Sequence, residues 1–511
     1  MDTLDGVLRD RAATDGERVA LDFEEQAFTY ADVAARAEEW TGVLHDAGVQ
    51  PGSRVALMSG NRPEFVFAMY GALHLGAAVV ACSPAWKARE LAHALALTDP
   101  WLVVTDAAGA ALLSEVRPTT RIVRIDEPLP SRTSLPTWSV DDPDAEAVLV
   151  FSSGTTGLPK AVRHTHRTMG HGVAHWITAL GLTEDDRFQV ATPPVHILGL
   201  LNIVTAVAAG ARLRLHPRFD LDVLLAAIER DRVTLEMAVA PIALGMANHP
   251  DLERYHLSSL RYVMWGATPV TPEVAEVVTR RTGVRWLPCY GTSEVPVLTG
   301  NPVDRPAEWR LDSPGLPIPS SPGTAGTQIR ICDPATGEVL GPDQTGEIEV
   351  LSPSAMVGYL PDEATADAFH DGWYRTGDLG HLEPSGWLHI TDRLKEMIKV
   401  RGYQVAPAEV EAVLHADPRV RDCAVFGVPD TERGEAVVAA VARVHSPAGA
   451  SLTVDEVREV VASQLAHYKQ VRHVVFVDEI PRLPSGKALR RVLKDQYPRA
   501  DAQARREDLT G

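Results

Sequence analysis

Over its first hundred residues the chain alternates helix-like and strand-like patterns, and that regularity leaves few architectures open. FTYADVAARAEEWTGVLHDAGV (28–49) reads as a helix capped by Thr29 and ended at Gly48. SRVALMSG (53–60) reads as a strand. RPEFVFAMYGALHLGAAVVACSP (62–84) is a helix, a break at Gly76 and a second strand, and ELAHALALTDPWLVVTD (90–106) repeats the unit. Alternation of this kind implies parallel strands joined by crossover helices. Asn61, Trp86 and Lys87 read as packing or solvent-facing residues in this region. Segment 127–145, rich in Pro, Ser and Asp, reads as a linker.

Length and charge narrow the function classes. With 511 residues the chain can hold three or four average domains, or one large and one small. A net charge of −19, from 49 basic and 68 acidic residues, argues against a general nucleic-acid or anionic-membrane binder. It does not exclude anionic small ligands, which need only a local basic pocket. Cys82, Cys289, Cys332 and Cys423 are far apart and form no CxxC, which fits a reducing compartment. MDTLDGVLRD is acidic and does not read as a signal peptide, and every apolar run is interrupted short of the ~18–20 residues a spanning helix needs. A cytoplasmic protein with no membrane insertion is expected.

The linker leads into the most telling stretch, FSSGTTGLPK (151–160), preceded by the buried-strand pattern AVLVF (147–151). Ser152, Ser153, Thr155 and Thr156 supply hydroxyls, Gly154 and Gly157 let the backbone wrap a ligand, and Lys160 adds a point charge. Together they can cradle phosphate oxygens. The spacing is not GxxxxGK[ST], so this is not the usual ATPase loop. The bland alternative is a Ser/Gly surface turn. His164 and His166 follow, but with no Cys or carboxylate cluster beside them they read as loop braces rather than zinc ligands.

SSGTTGLPK resembles the phosphate loop of the AMP-forming acyl synthetases, the adenylate-forming enzymes that include acyl-CoA ligases, luciferases and peptide-synthetase adenylation domains. Further motifs similar to that family's occur in its order. In ATPPVHILGLLNIV (191–204) the family places a histidine beside the substrate carboxylate, which implies that role for His196; many relatives have an aromatic where Leu198 stands. YVMWGATPV (262–270) is similar to a segment along the adenine and acyl pocket, with Gly266 and Ala267 in place. Trp265 stands where a small residue is commoner, so its indole would either narrow the acid site or pack backward into the core. YGTSE (290–294) is close to the family's YGxTE: Gly291 lies in the turn, Tyr290 would stack on adenine, Ser293 keeps a hydroxyl for phosphate, and Glu294 would hold Mg²⁺ bridging ATP phosphates. WYRTGDL (373–379) implies Asp378 as acceptor of both ribose hydroxyls.

WLHITDRLKEMIKVRGYQVAPAEVEAVL (387–414) is the most specific long match. By resemblance Arg393 meets the ribose and phosphate, Lys395 is the hinge residue, and Lys399, Arg401 and Gly402 face the active site during thioester formation. PRLPSGK ends in Lys487, which the resemblance makes the adenylation lysine, bridging carboxylate and α-phosphate. The expected fold is α/β: a large N-terminal domain of two α/β sheet subdomains plus a β-subdomain (1–393), a hinge (394–395), a small mobile C-terminal α+β domain (396–497) and a frayed tail (498–511). The last 110 residues read β-α-β-β-α.

The resemblance implies ATP- and Mg²⁺-dependent activation of a small, medium-chain or aryl acid, then transfer to the thiol of CoA, nearest in pattern to the coumarate and medium-chain acyl ligases. Three other readings stay open. One is loading of a carrier protein's phosphopantetheine, although the insertion common before the hinge in such relatives is missing. The second is adenylation of an unusual small acid, including an inorganic acid such as nitrite, with transfer to an amine. The third is a catalytically dead scaffold, against which intact Glu294, Asp378, Arg393 and Lys487 argue.

Overall fold

The computed structural model describes residues 3–129, 142–152, 159–266, 272–394, 396–400, 403–430, 434–482 and 487–497. Two mainly parallel sheets form its frame. Six strands of a nine-stranded sheet run parallel in the order Trp286–Tyr290, Tyr262–Trp265, Leu235–Ala238, Arg187–Val190, Arg212–Leu215, Val19–Phe23, with antiparallel strands at both edges. In a seven-stranded sheet, Glu146–Ser152, Ala78–Ala81, Arg54–Met58, Leu102–Thr105 and Ile122–Arg124 are parallel neighbours. Lys160–Thr165 and then Gly358–Leu360 extend that sheet antiparallel.

The alternation in the sequence produces this layering directly. Thr29 caps helix Tyr30–Asp46: its hydroxyl accepts the Asp32 N–H, and the Asp32 carboxylate accepts the Thr29 N–H. That helix, with Pro63–His74, His166–Leu180 and Ile197–Ala209, fills one apolar core shared by both sheets. Other helices cover the outer faces. Leu221–Asp231 and Pro272–Thr282 pack on the nine-stranded sheet, and Ala88–Thr98 packs on the seven-stranded one. Strand Arg54–Met58 shows the consequence: Val55 and Leu57 enter the shared core, while Ala56 and Met58 enter the outer one. A strand buried on both faces must be apolar at every position, hence VALM.

A five-stranded antiparallel sheet follows, built on Gln328–Cys332, Gly346–Leu351, Trp373–Leu382 and Leu388–Arg393. The C-terminal sheet comprises Ile398–Val400, Tyr403–Val405, Val420–Asp430, Gly434–Arg443 and His473–Val477, with helices Pro407–His415 and Val454–Gln464 on one face and Arg490–Gln496 on the other. The architecture is therefore the expected α/β frame with a β-sheet appendage and a smaller α+β unit. From Tyr403 onward the described elements begin in the expected β-α-β-β-α order, with Val420–Asp430 and Gly434–Arg443 as an antiparallel pair, and strand His473–Val477 and helix Arg490–Gln496 extend it. The alanines in strand Gly434–Arg443 lower its apparent strand character. Its valines, at alternate positions with alanines, nonetheless pack both faces of the sheet. Among the described residues no helix is long and apolar enough to cross a membrane.

Candidate active site

Parallel α/β sheets present ligand-binding residues at the carboxyl ends of their strands, and the motif residues gather there. Ser152 ends strand Glu146–Ser152, Trp265 and Gly266 end Tyr262–Trp265, Tyr290 ends Trp286–Tyr290, and His196 lies past Arg187–Val190. Ser152 and Lys160 are cross-strand partners. Ser153, Gly154, Thr155, Thr156 and Gly157 lie outside the described residues, as do Ala267, Lys395, Arg401 and Gly402.

Three predicted residues meet in one cluster although 88 positions separate the first two. The Tyr290 hydroxyl donates to one Asp378 carboxylate oxygen, and Arg393 Nε pairs with the other at 2.8 Å. Asp378 and Arg393 are cross-strand neighbours in the antiparallel sheet, so register alone brings them together. Burial beside that carboxylate pushes the Tyr290 phenol well above its ordinary range. Gly291 is required by the backbone, since a Cβ there would stand 2.0 Å from the Pro296 carbonyl oxygen.

A second group forms around Glu294, which is only 7 % exposed. The Tyr359 hydroxyl donates to Glu294 Oε1 at 2.7 Å, and Lys160 Nζ lies 4.9 Å from the Tyr359 ring centroid. No described residue forms an ion pair with Glu294, and no described cluster of three His, Cys, Asp or Glu could cage a metal alone. A buried carboxylate in no described ion pair fits a site where Mg²⁺ is shared with phosphate oxygens. His164 braces the same loop, its Nε2 2.8 Å from the Ser293 carbonyl oxygen, while His166 Nδ1 accepts the Leu4 N–H. The two histidines therefore serve separate partners and do not form a metal pair. Tyr359 went unremarked in the sequence, whereas His164 reads there as a loop brace and braces the turn at Ser293. GYL (358–360) carries no local motif, and only its pairing with Lys160–Thr165 places it.

Arg393 connects these groups to the C-terminal unit. It feels the charges of Asp378, Glu396 and Glu294 together. Lys487 Nζ lies 3.5 Å from Glu396 Oε1, and Arg490 pairs with both Glu396 and Glu411. Burial and the Arg393 charge lower the Lys487 ammonium from its ordinary value. Lys399 lies elsewhere: its side chain is exposed, and its backbone N–H donates to Glu435 at 2.7 Å.

The surroundings of His196, where the acid is expected, are built differently. His196 caps helix Ile197–Ala209, its Nδ1 accepting the Leu198 N–H, and burial pushes its imidazole down to about 4. A neutral ring that accepts at Nδ1 carries its proton on Nε2 and is a donor there. Trp265 is 1 % exposed, its ring 5.2 Å from that of Trp286, in the apolar cluster that Leu198 borders. The indole is thus part of the core behind the strand end.

Residues 8–360 match the AMP-binding enzyme family and residues 409–487 match the AMP-binding enzyme C-terminal domain. The chain belongs to the AMP-binding enzyme family. A 4-coumarate–CoA ligase of Nicotiana tabacum is 34% identical over 496 residues, covering 92% of this chain and 89% of that one. The o-succinylbenzoate CoA synthetase MenE from Bacillus subtilis, solved with ATP and a magnesium ion, superposes with a TM-score of 0.84 at 29% identity over 96% of this chain and 99% of that one. The amide bond synthetase McbA from Marinactinospora thermotolerans superposes with a TM-score of 0.85 at 31% identity, covering 97% and 100%. As a member of this family the chain is an adenylate-forming ligase.

Proposed function

We propose that this AMP-binding enzyme joins a carboxylic acid to the α-phosphate of ATP, releases pyrophosphate, and passes the acyl group to the thiol of CoA. The observation that carries the reading is the Tyr290–Asp378–Arg393 cluster, with Lys487 reaching the same charged neighbourhood from the C-terminal unit. Asp378 offers two oxygens to two ribose hydroxyls, and Tyr290, anchored by its hydroxyl, offers its face to adenine. Two anions must approach, so positive charge has to be supplied. Lys160 and the hydroxyls of 152–156 would face the β- and γ-phosphates, and Lys487 would bridge the carboxylate and α-phosphate as charge builds. Glu294 would hold Mg²⁺, whose contribution is neutralisation of phosphate charge. The His196 Nε2–H would orient the acid carboxylate by a hydrogen bond rather than an ion pair, since the ring is neutral.

In the second step the thiol attacks the acyl carbonyl, AMP leaves, and no side chain of this chain is acylated. A turn of the C-terminal unit about Lys395 would bring Lys399, Arg401 and Gly402 to the site. Such a turn would break the hydrogen bond from the Ala408 N–H to Asp392, whose carboxyl burial raises to about 6. Lys395→Pro should therefore slow the thioester step more than adenylation. By likeness to the tobacco ligase, an aryl-substituted acid is the first substrate to try. The likeness to McbA favours a second reading, in which an amine accepts the acyl group.

The deciding experiment follows pyrophosphate and AMP with ATP and Mg²⁺ over small, medium-chain and aryl acids, each with no acceptor, with CoA or with an amine. Turnover that needs CoA supports the ligase and names its acid class. Turnover that needs the amine, or acyl-adenylate that accumulates whatever is added, overturns the CoA step.

A further inference from the structure

A residue outside every motif used above links the two phosphate-facing groups. Tyr359 sits in the short strand Gly358–Leu360, which pairs antiparallel with Lys160–Thr165, Tyr359 opposite Val162. The segment leading into it is stitched to both loops. The Met356 N–H donates to the Glu294 carbonyl oxygen at 2.8 Å, and the Val357 N–H donates to the Arg163 carbonyl oxygen at 2.9 Å. The side chain repeats the connection. Its hydroxyl donates to Glu294 Oε1 at 2.7 Å, and its ring lies beneath the Lys160 ammonium. Tyr374 is buried beside it, close enough for the two phenols to influence each other electrostatically.

We propose that Tyr359 is a positioning residue that fixes Glu294 and Lys160 relative to each other, so that the magnesium-holding carboxylate and the phosphate-loop ammonium reach the same nucleotide. A carboxylate can rotate, and a hydrogen bond to one oxygen turns the other toward a cation without adding charge. An ammonium over an aromatic face is attracted by the ring's quadrupole while its N–H donors stay available to phosphate. A lysine–glutamate ion pair would instead neutralise both groups against each other. The ring between them keeps the two opposite charges apart and available. This inference rests on the reading of Glu294 as the magnesium ligand.

The test is calorimetric titration of the full-length protein with ATP, with and without saturating Mg²⁺, for the unaltered chain, Tyr359→Phe, Tyr359→Leu and Glu294→Gln. Tyr359→Phe keeps the ring and removes the hydroxyl. It should weaken binding of magnesium-ATP roughly ten- to a hundredfold, the worth of a hydrogen bond to a charged group, and leave metal-free ATP within about twofold. Tyr359→Leu also removes the ring from Lys160, and should cost about a further threefold for metal-free ATP too. Should Tyr359→Phe lose its cooperative melting transition, Tyr374→Phe carries the test, with a smaller loss in the same direction. Equal weakening of both nucleotide forms by Tyr359→Phe, or none, overturns the proposal. If Glu294→Gln loses the magnesium advantage and Tyr359→Phe does not, Tyr359 alone is misassigned. If Glu294→Gln keeps it, the magnesium assignment fails and the Tyr359 proposal falls with it.

Discussion

At the end of the site proposed for the nucleotide, each carboxylate already has a fixed partner: Asp378 is bonded to Arg393 and Tyr290, and Glu294 to Tyr359. At the acid end, Trp265 and Leu198 are placed by packing, and the one ionisable ring, His196, is held neutral by burial. The difference separates two kinds of specificity. On the proposed reading, a ligand with fixed charges, such as ATP, would be met by a network of fixed geometry. A variable acid would be met by shape, which core substitutions can change without touching the charges.

Substitutions at the two ends should therefore fail in different ways. Trp265→Ala should lower unfolding stability by about 3–5 kcal/mol in denaturant titration, since it empties a fully buried position against Trp286. The KM for ATP should stay within about twofold. A raised KM for ATP with intact stability would dissolve the division between the ends. Lys487→Ala should cut acid-dependent pyrophosphate release by roughly 10²–10³-fold while ATP still binds by calorimetry. Unchanged turnover would remove Lys487 from the chemistry. Asp378→Asn should cost about 2 kcal/mol of ATP binding, near thirtyfold in affinity, with the melting temperature lowered less than in Trp265→Ala.

A fourth substitution probes the strand beside Trp265 through pH. Glu236 is buried on the strand beside Tyr262–Trp265, bonded to Gln189 at 2.6 Å, and burial raises its carboxyl from 4.5 to about 7. Between those values the folded chain holds a proton that the unfolded chain releases. This group's contribution to stability therefore falls as pH rises from 4.5 to about 7, and is level above. Glu236→Gln should flatten that slope and gain on the order of 1–3 kcal/mol at pH 8 relative to the parent. An unaltered slope would place the titration elsewhere.

How much of this was legible in the sequence follows the same division. The helix–strand alternation reported the sheets because a strand buried on both faces cannot hide its apolar run. Asp378, Arg393 and Tyr290 were legible because each stands in a motif with its own turn chemistry. Tyr359 was not, because its meaning lies in a cross-strand register with residues almost 200 positions away, and GYL carries no local mark of it. Trp265 was half legible. Strand periodicity says that it and Val263 share a face, and only the packed helices show that this face is the outer core. The β-α-β-β-α reading of the last 110 residues stopped short of strand His473–Val477 and helix Arg490–Gln496, which follow it.

The most direct test of the central claim is the fate of a carboxylate oxygen. An acid found to turn over is supplied with both carboxylate oxygens as ¹⁸O, together with ATP, Mg²⁺ and CoA, and the nucleotide product is analysed by mass spectrometry. Attack by the carboxylate on the α-phosphate predicts AMP carrying one ¹⁸O atom. Unlabelled AMP, or ADP as the product, would contradict adenylation at this site.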